Sequence, residues 1–121
     1  VHTEKPLRSD GDGTQTRDMI FVGDVVSANI AAMERKEKFS GEAINIATGE
    51  SISNNQIIKK FKKKYPSIVV NNAPERPGDV KHTLADTSRM KKMLDIYETT
   101  PFDVGLDKTL AWWGTLEIKN G

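Results

Sequence analysis

The sequence predicts a mixed α/β fold, a small sheet with about four helices. Three observations carry that expectation. Met19-Ile20-Phe21-Val22, Ala43-Ile44-Asn45-Ile46-Ala47 and Ile68-Val69-Val70 are short apolar runs bounded by turn residues, the pattern of buried strands. Between and after them, apolar residues recur at helical spacing. The resulting order, strand–helix–strand–helix–strand–helix–helix, alternates as α/β chains do.

Residues 1–16 are polar and glycine-rich and read as loop, with one short strand around Leu7. After the run 19–22, Asp24 is suited to cap a helix in which Val25, Ala28, Ala32 and Met33 recur to about Lys38. Ser40-Gly41 ends it, and the run 43–47 closes on the turn Thr48-Gly49-Glu50. Ser53-Asn54-Asn55-Gln56 is a capping box, with Ser accepting from the amide three residues on while Gln reaches back. The helix behind it buries Ile57, Ile58 and Phe61 and stops before Tyr65-Pro66, because proline disfavours a helical residue ahead of it. Asp86 is expected to cap a short helix carrying Met90, Met93 and Leu94. The last helix, from about Phe102 to Leu116, aligns Phe102, Leu106, Leu110 and Trp113, which places Trp113 in the core and Trp112 at an edge.

With 121 residues the chain is the size of one domain. Lysines and arginines number 18 against 17 acidic residues, so no global field recruits nucleic acid or an anionic membrane. Lys59-Lys60-Phe61-Lys62-Lys63-Lys64 reads as a solvated helix face rather than a phosphate-backbone patch, since the lysines lie opposite the apolar residues. Cysteine is absent, which removes disulfides, thiolate nucleophiles and zinc–thiolate sites and is compatible with a reducing cytosol. No apolar run approaches the roughly 20 residues of a membrane span. Clustered carboxylates at metal-ligand spacing are missing, and His2 and His82 have no nucleophile context for a triad. The chain starts on Val1 rather than Met, as a stretch from inside a longer gene product would.

The segment richest in chemistry is Pro74-Glu75-Arg76-Pro77-Gly78-Asp79-Val80. It sets a guanidinium and a carboxylate on one proline-stiffened loop, where Arg76 can grip phosphate oxygens and Asp79 can accept from hydroxyls. Arg17, in Gly11-Asp12-Gly13-Thr14-Gln15-Thr16-Arg17-Asp18, is a second guanidinium beside regular structure. Two such arginines suit a sugar nucleotide. His82 and Thr83 follow the loop and are expected to lie near the same ligand.

Gly11-Asp12-Gly13-Thr14-Gln15-Thr16-Arg17-Asp18-Met19-Ile20-Phe21-Val22 resembles a sequence found late in extended short-chain dehydrogenase/reductases, above all the NAD-dependent nucleotide-sugar epimerases and dehydratases of the UDP-glucose 4-epimerase type. Asp24-Val25-Val26-Ser27-Ala28-Asn29, Asn45-Ile46-Ala47-Thr48-Gly49-Glu50, Arg76-Pro77-Gly78-Asp79 with Ala85-Asp86, and Phe102-Asp103-Val104-Gly105-Leu106 with Trp112-Trp113 resemble further segments in the family's order. The chain departs from that pattern at Arg8-Ser9-Asp10, where the family places a hydrophobic strand, at Gly23, and at Asp95-Ile96-Tyr97-Glu98, which lacks the usual glycine.

The resemblance implies a single C-terminal substrate-binding portion over residues 1–121, without the N-terminal Rossmann cofactor half, whose sheet residues 17–50 would complete in the parent enzyme. Arg17 would contact the diphosphate of a UDP- or dTDP-linked sugar from the strand side and Arg76 from the loop side, with Asp79 on the ribose hydroxyls. His82 and Thr83 would lie where sugar size is sensed. NAD belongs to the parent family, but no cofactor is expected on this chain alone and no catalytic residue is assigned. The Gly-x-x-Gly-x-x-Gly turn is absent, and the fourth residue after Tyr65 is Val69 and after Tyr97 is Pro101, so neither tyrosine forms a Tyr-x-x-x-Lys pair. The expected function is therefore nucleotide-sugar binding by a portion inactive alone, cytoplasmic, partnered by its cofactor half or by itself through exposed strands. A 4,6-dehydratase portion and a non-catalytic nucleotide-sugar-binding module stay open as alternatives.

Overall fold

The computed structural model describes residues 5–117, and His2 lies outside them. In chain order the elements are β1 (Leu7–Asp10), β2 (Thr16–Arg17), α1 (Val22–Glu34), β3 (Ile52–Ser53), α2 (Asn54–Lys64), β4 (Val70–Ala73), α3 (Ser88–Leu94) and α4 (Phe102–Glu117). The mixed α/β class and the four helices are as expected. The strands form two two-stranded sheets in place of one. The chain divides into two compact units, one from the residues up to Asp18 with Glu50–Leu84, the other from Met19–Gly49 with the residues from Ala85 onward.

In the first unit β1 and β4 run parallel, with Leu7 opposite Val70 and Asp10 opposite Ala73. The ladder is extended by the Gly11 amide donating to the Ala73 carbonyl at 2.9 Å. β4 starts two residues later than the apolar run predicts, because the Ile68 amide donates to the Tyr65 carbonyl and closes the turn that ends α2. β2 pairs antiparallel with β3, Thr16 opposite Ser53 and Arg17 opposite Ile52. The capping box forms as read: Ser53 Oγ accepts from the Gln56 amide at 3.2 Å, and Gln56 Oε1 accepts from the Ser53 amide at 2.8 Å. Lys59, Lys62, Lys63 and Lys64 are exposed along α2 while Ile57, Ile58 and Phe61 are half-buried.

The second unit departs further from expectation. Neither 19–22 nor 43–47 is a strand. A strand exists only through a neighbour's ladder hydrogen bonds, and among the described residues these segments have none. Phe21 instead is the extended N-cap of α1, and its carbonyl accepts from the Asp24 and Val25 amides. Its side chain sits so close to Gly23 and Gly105 that a Cβ on Gly23 would lie 2.6 Å from the ring and one on Gly105 3.1 Å from the Phe21 Cβ. Asp24 is thus not the cap; its carboxylate accepts from the Thr100 amide and hydroxyl, each at 2.8 Å. In 43–47 the Ala43 carbonyl accepts from Arg89 Nη1 at 2.9 Å, and Asn45 Nδ2 donates to the Asp86 carbonyl at 3.2 Å.

The N-cap of α3 is Thr87 rather than Asp86, whose Oδ1 accepts from the Ser88 amide and hydroxyl. Those two bonds hold the Asp86 carboxyl below its ordinary pKa. Among the described residues, Ala28, Ala47 and Met90 are the buried apolar residues of this unit. Trp113 is not core: it is 48% exposed, edge-on to Trp112 at 6.2 Å between ring centroids. On α1, Val22, Val26, Ile30 and Met33 form an exposed apolar stripe.

Candidate functional site

The site residues named from sequence all fall in the first unit. Arg76-Pro77-Gly78-Asp79 is a β-turn closed by the Asp79 amide donating to the Arg76 carbonyl at 3.1 Å. Pro77 in its second position and Gly78 at φ 79° in its third give the type II pattern. The two ends of such a turn lie within about 7 Å, so the turn itself sets Arg76 beside Asp79.

Arg17 reaches the same turn from β2. Its Nη2 donates to Asp79 Oδ1 at 2.8 Å across 62 positions of sequence, and its Nη1 donates to the Thr16 carbonyl at 2.8 Å. Both side chains are about one-third exposed, so the pair is ordered yet reachable from solvent. β2 is held in place by the segment after the turn: the Thr16 amide donates to the Lys81 carbonyl and the Thr83 amide donates to the Thr16 carbonyl. His82 and Thr83 are therefore part of the scaffold around Thr16. The His82 Nδ1 lies 3.0 Å from Thr16 Oγ1, and Thr83 takes part through its backbone.

Asp10, at the end of β1, was not identified from sequence. Its carboxylate meets Arg8 Nε at 2.6 Å and Arg76 Nε at 2.5 Å, one on each oxygen. The Arg8 hydrogen bond, with the Arg76 charge adding to it, holds the Asp10 carboxyl below its usual range. The signal available in the sequence was alternation: Arg8 and Asp10 are two apart on a strand and share a face, while Ser9 points into the unit and is buried. Asp10, Asp12, Glu75, Arg76, Asp79 and Lys81 rim one small cleft. Four of these are acids and two are bases, so no net field draws an anion in and one is held there by directed guanidinium groups.

The glycine turn bears on whether this chain's residues fit a dinucleotide. Gly11 and Gly13 have φ of 70° and 76°. The turn is pinned inward: Asp12 Oδ1 accepts from the Thr14 amide and hydroxyl, which lowers the Asp12 pKa, and the Asn55 amide donates to the Gly13 carbonyl at 2.9 Å. A Cβ on Gly13 would fall 2.0 Å from Asn55 Oδ1. A dinucleotide turn opens a helix and leaves its glycine face to the pyrophosphate. This one opens β2, and Asn55 occupies that face. This turn therefore does not fit a dinucleotide pyrophosphate.

The α/β scaffold thus sets two arginines and an aspartate around a proline–glycine turn, and comparison with known proteins supplies its family. The chain belongs to the GDP-mannose 4,6 dehydratase family, which it matches over residues 1–109, and so to the extended short-chain dehydrogenase/reductases. It is 34% identical over 121 residues to a UDP-glucuronate 4-epimerase of Thermodesulfobacterium geofontis, covering 93% of this chain and 34% of that protein. A crystal structure of UDP-glucuronic acid 4-epimerase from Bacillus cereus in complex with UDP-glucuronic acid and NAD superposes with a TM-score of 0.79 at 36% identity, over 88% of this chain and 34% of that one. UDP-glucose 4-epimerase from Thermotoga maritima with UDP-glucose gives a TM-score of 0.82 at 32% identity, over 94% and 36%. The chain spans about a third of the length of these relatives. Among the described residues no helix is long and apolar enough to cross a membrane.

Proposed function

We propose that this chain is the nucleoside-diphosphate-sugar-binding portion of an NAD-dependent nucleotide-sugar epimerase of the UDP-glucose 4-epimerase type, inactive without the cofactor-binding portion. The observation that carries this is the Arg17–Asp79 ion pair on the type II turn, which brings a segment far away in sequence to the turn whose Arg76 and Asp79 line the cleft. In this reading Arg17 and Arg76 neutralise the diphosphate of a UDP- or dTDP-linked sugar and Asp79 accepts from the ribose hydroxyls. Ligand phosphate draws Arg17 partly off Asp79, which frees that carboxylate for the diol. His82 and Thr83 fix β2 and with it the approach of Arg17, and they face the sugar end.

NAD and the hydride chemistry belong to the other portion of the enzyme. The extended segments within residues 17–50 complete that portion's sheet, or pair with a second copy in its absence.

The test is an amide-resolved NMR titration of the chain with UDP, dTDP and GDP, repeated on Arg17→Ala and Arg76→Ala. Saturable shifts at Thr16–Arg17 and Arg76–Asp79 are expected, weakened roughly tenfold by either substitution, as for loss of one charge-assisted contact. With UDP-glucose and NAD added, the chain alone leaves the sugar unchanged. A folded spectrum that no nucleotide perturbs overturns the binding role.

A further inference from the structure

The sequence departs from its family at Arg8-Ser9-Asp10, and the structure places Asp10 in the wall of the cleft with Arg8 bonded to it. Arg8 and Asp10 project from the same face of β1, and Asp10 spends one oxygen on each of two arginines, Arg8 and Arg76. Through the shared carboxylate the two Nε atoms are at most about 7.6 Å apart. The Asp10 side chain is 13% exposed, whereas those of Arg8 and Arg76 are 65% and 66% exposed. The carboxylate is thus the inner member of the trio and the guanidiniums are the outer ones. Both are held by Nε, and in a planar guanidinium the end-on Nη1/Nη2 fork points in a different direction from Nε–H. That end presents two parallel N–H donors to a tetrahedral oxyanion.

We infer that Arg8 is a third diphosphate-contacting guanidinium beside Arg17 and Arg76, aligned with Arg76 by the positioning residue Asp10. Two adjacent forks match the two phosphorus centres of a diphosphate better than a monophosphate. Asp10 supplies the order that long, exposed arginines otherwise lack, since fixing each costs side-chain entropy. It also offsets the mutual repulsion of the two cations. Asp12, Glu75 and Asp79 are the other carboxylates around the cleft, so the forks must work by direct contact. As a statement about a diphosphate ligand, the inference rests on the nucleotide-sugar reading above.

Titration calorimetry and phosphorus NMR on the intact chain test it, with inorganic pyrophosphate and UDP as probes and uridine as the uncharged control. Variants are accepted when their far-UV circular dichroism matches the parent. Arg8→Ala is expected to weaken pyrophosphate and UDP about 3- to 10-fold, to flatten their salt dependence, and to leave uridine unchanged. Arg8→Lys restores the salt dependence and only part of the affinity, because an ammonium lacks the fork. In an Asp10→Asn background the effect of Arg8→Ala shrinks, as expected when Asp10 aligns the pair.

Unchanged pyrophosphate affinity in Arg8→Ala overturns the inference, and so does full recovery by Arg8→Lys. Sensitivity to Arg76→Ala without sensitivity to Arg8→Ala sinks this inference and leaves the nucleotide-sugar reading standing. Arg8-dependent pyrophosphate binding with no binding of UDP does the reverse. A chain that binds neither probe refutes both.

Discussion

The two units of this chain use similar raw material to different ends. In the first, short strands find partners. β1 lies on β4, β2 lies on β3, and the glycine turn is tied to the start of α2 by side-chain and backbone bonds from Asn54 and Asn55. In the second, two equally strand-like segments stay extended without a ladder, and α1 and α4 leave apolar faces in solvent. The contrast teaches that local sequence sets backbone shape, whereas strand identity is a property of pairs. A unit rich in satisfied polar contacts can carry a polar ligand site. A unit without ladders keeps an apolar stripe in solvent instead.

Substitutions sharpen that contrast, beginning with the largest effect. Met90 is a fully buried side chain of the second unit. Met90→Ala is expected to cost about 2–5 kcal/mol, read as a lower midpoint in denaturant melting. If the first unit is stable by itself, amide exchange will show protection lost around α1 and α3 and kept along β1 and β4. Next comes Gly13→Ala, which forces an alanine into φ 76° and against Asn55. A loss of about 1–3 kcal/mol is expected, with shifts of the Asn54 and Asn55 amides and weakened UDP binding as the turn moves. Ser53→Ala removes one arm of the capping box and is expected to cost about 1 kcal/mol, seen as faster exchange in the first turn of α2.

Acid gives a gentler probe. The folded pKa of Asp10 lies below its unfolded value of about 3.9. Its contribution is therefore complete above that value and is lost as pH falls through the folded pKa. Carboxyl carbon NMR should show Asp10 titrating below the ordinary range, and Arg8→Ala should raise its midpoint. The smallest effect is expected from Met33→Glu on the exposed stripe of α1, which should shift stability by no more than about 0.5 kcal/mol. A large loss there would show that the stripe is covered, and would erase the distinction between the units.

What was legible in the sequence follows the same division. The capping box needs only four neighbouring residues and was readable to the atom. The stop before Pro66 was equally local, and so was the turn chemistry of Pro77-Gly78. The strands at 19–22 and 43–47 were not, because apolar content reports burial potential and says nothing about who supplies the ladder. Asp24 has the composition of a cap, yet a tertiary contact with Thr100 claimed its carboxylate and the helix began three residues earlier, with Phe21 as its cap. At the site, residue chemistry and family resemblance pointed to Arg17, Arg76 and Asp79, but the partner of each was hidden. Asp10 was missed since its importance lies in β1 pairing with β4, a contact with no local trace beyond the alternation of Arg8, Ser9 and Asp10.

The parallel register of β1 with β4 also has a meaning in time. Val70 is made 63 residues after Leu7, and no hydrogen bond of that ladder can form until it appears. At about 5–20 residues per second of synthesis, the partnerless edge of β1 waits roughly 3–13 s on the ribosome. During that wait Arg8 and Asp10 keep a charged face on the nascent strand, the kind of side chain that discourages edge-to-edge pairing with a neighbouring chain. The residues that frame the finished cleft are thus also the ones guarding its half-built precursor.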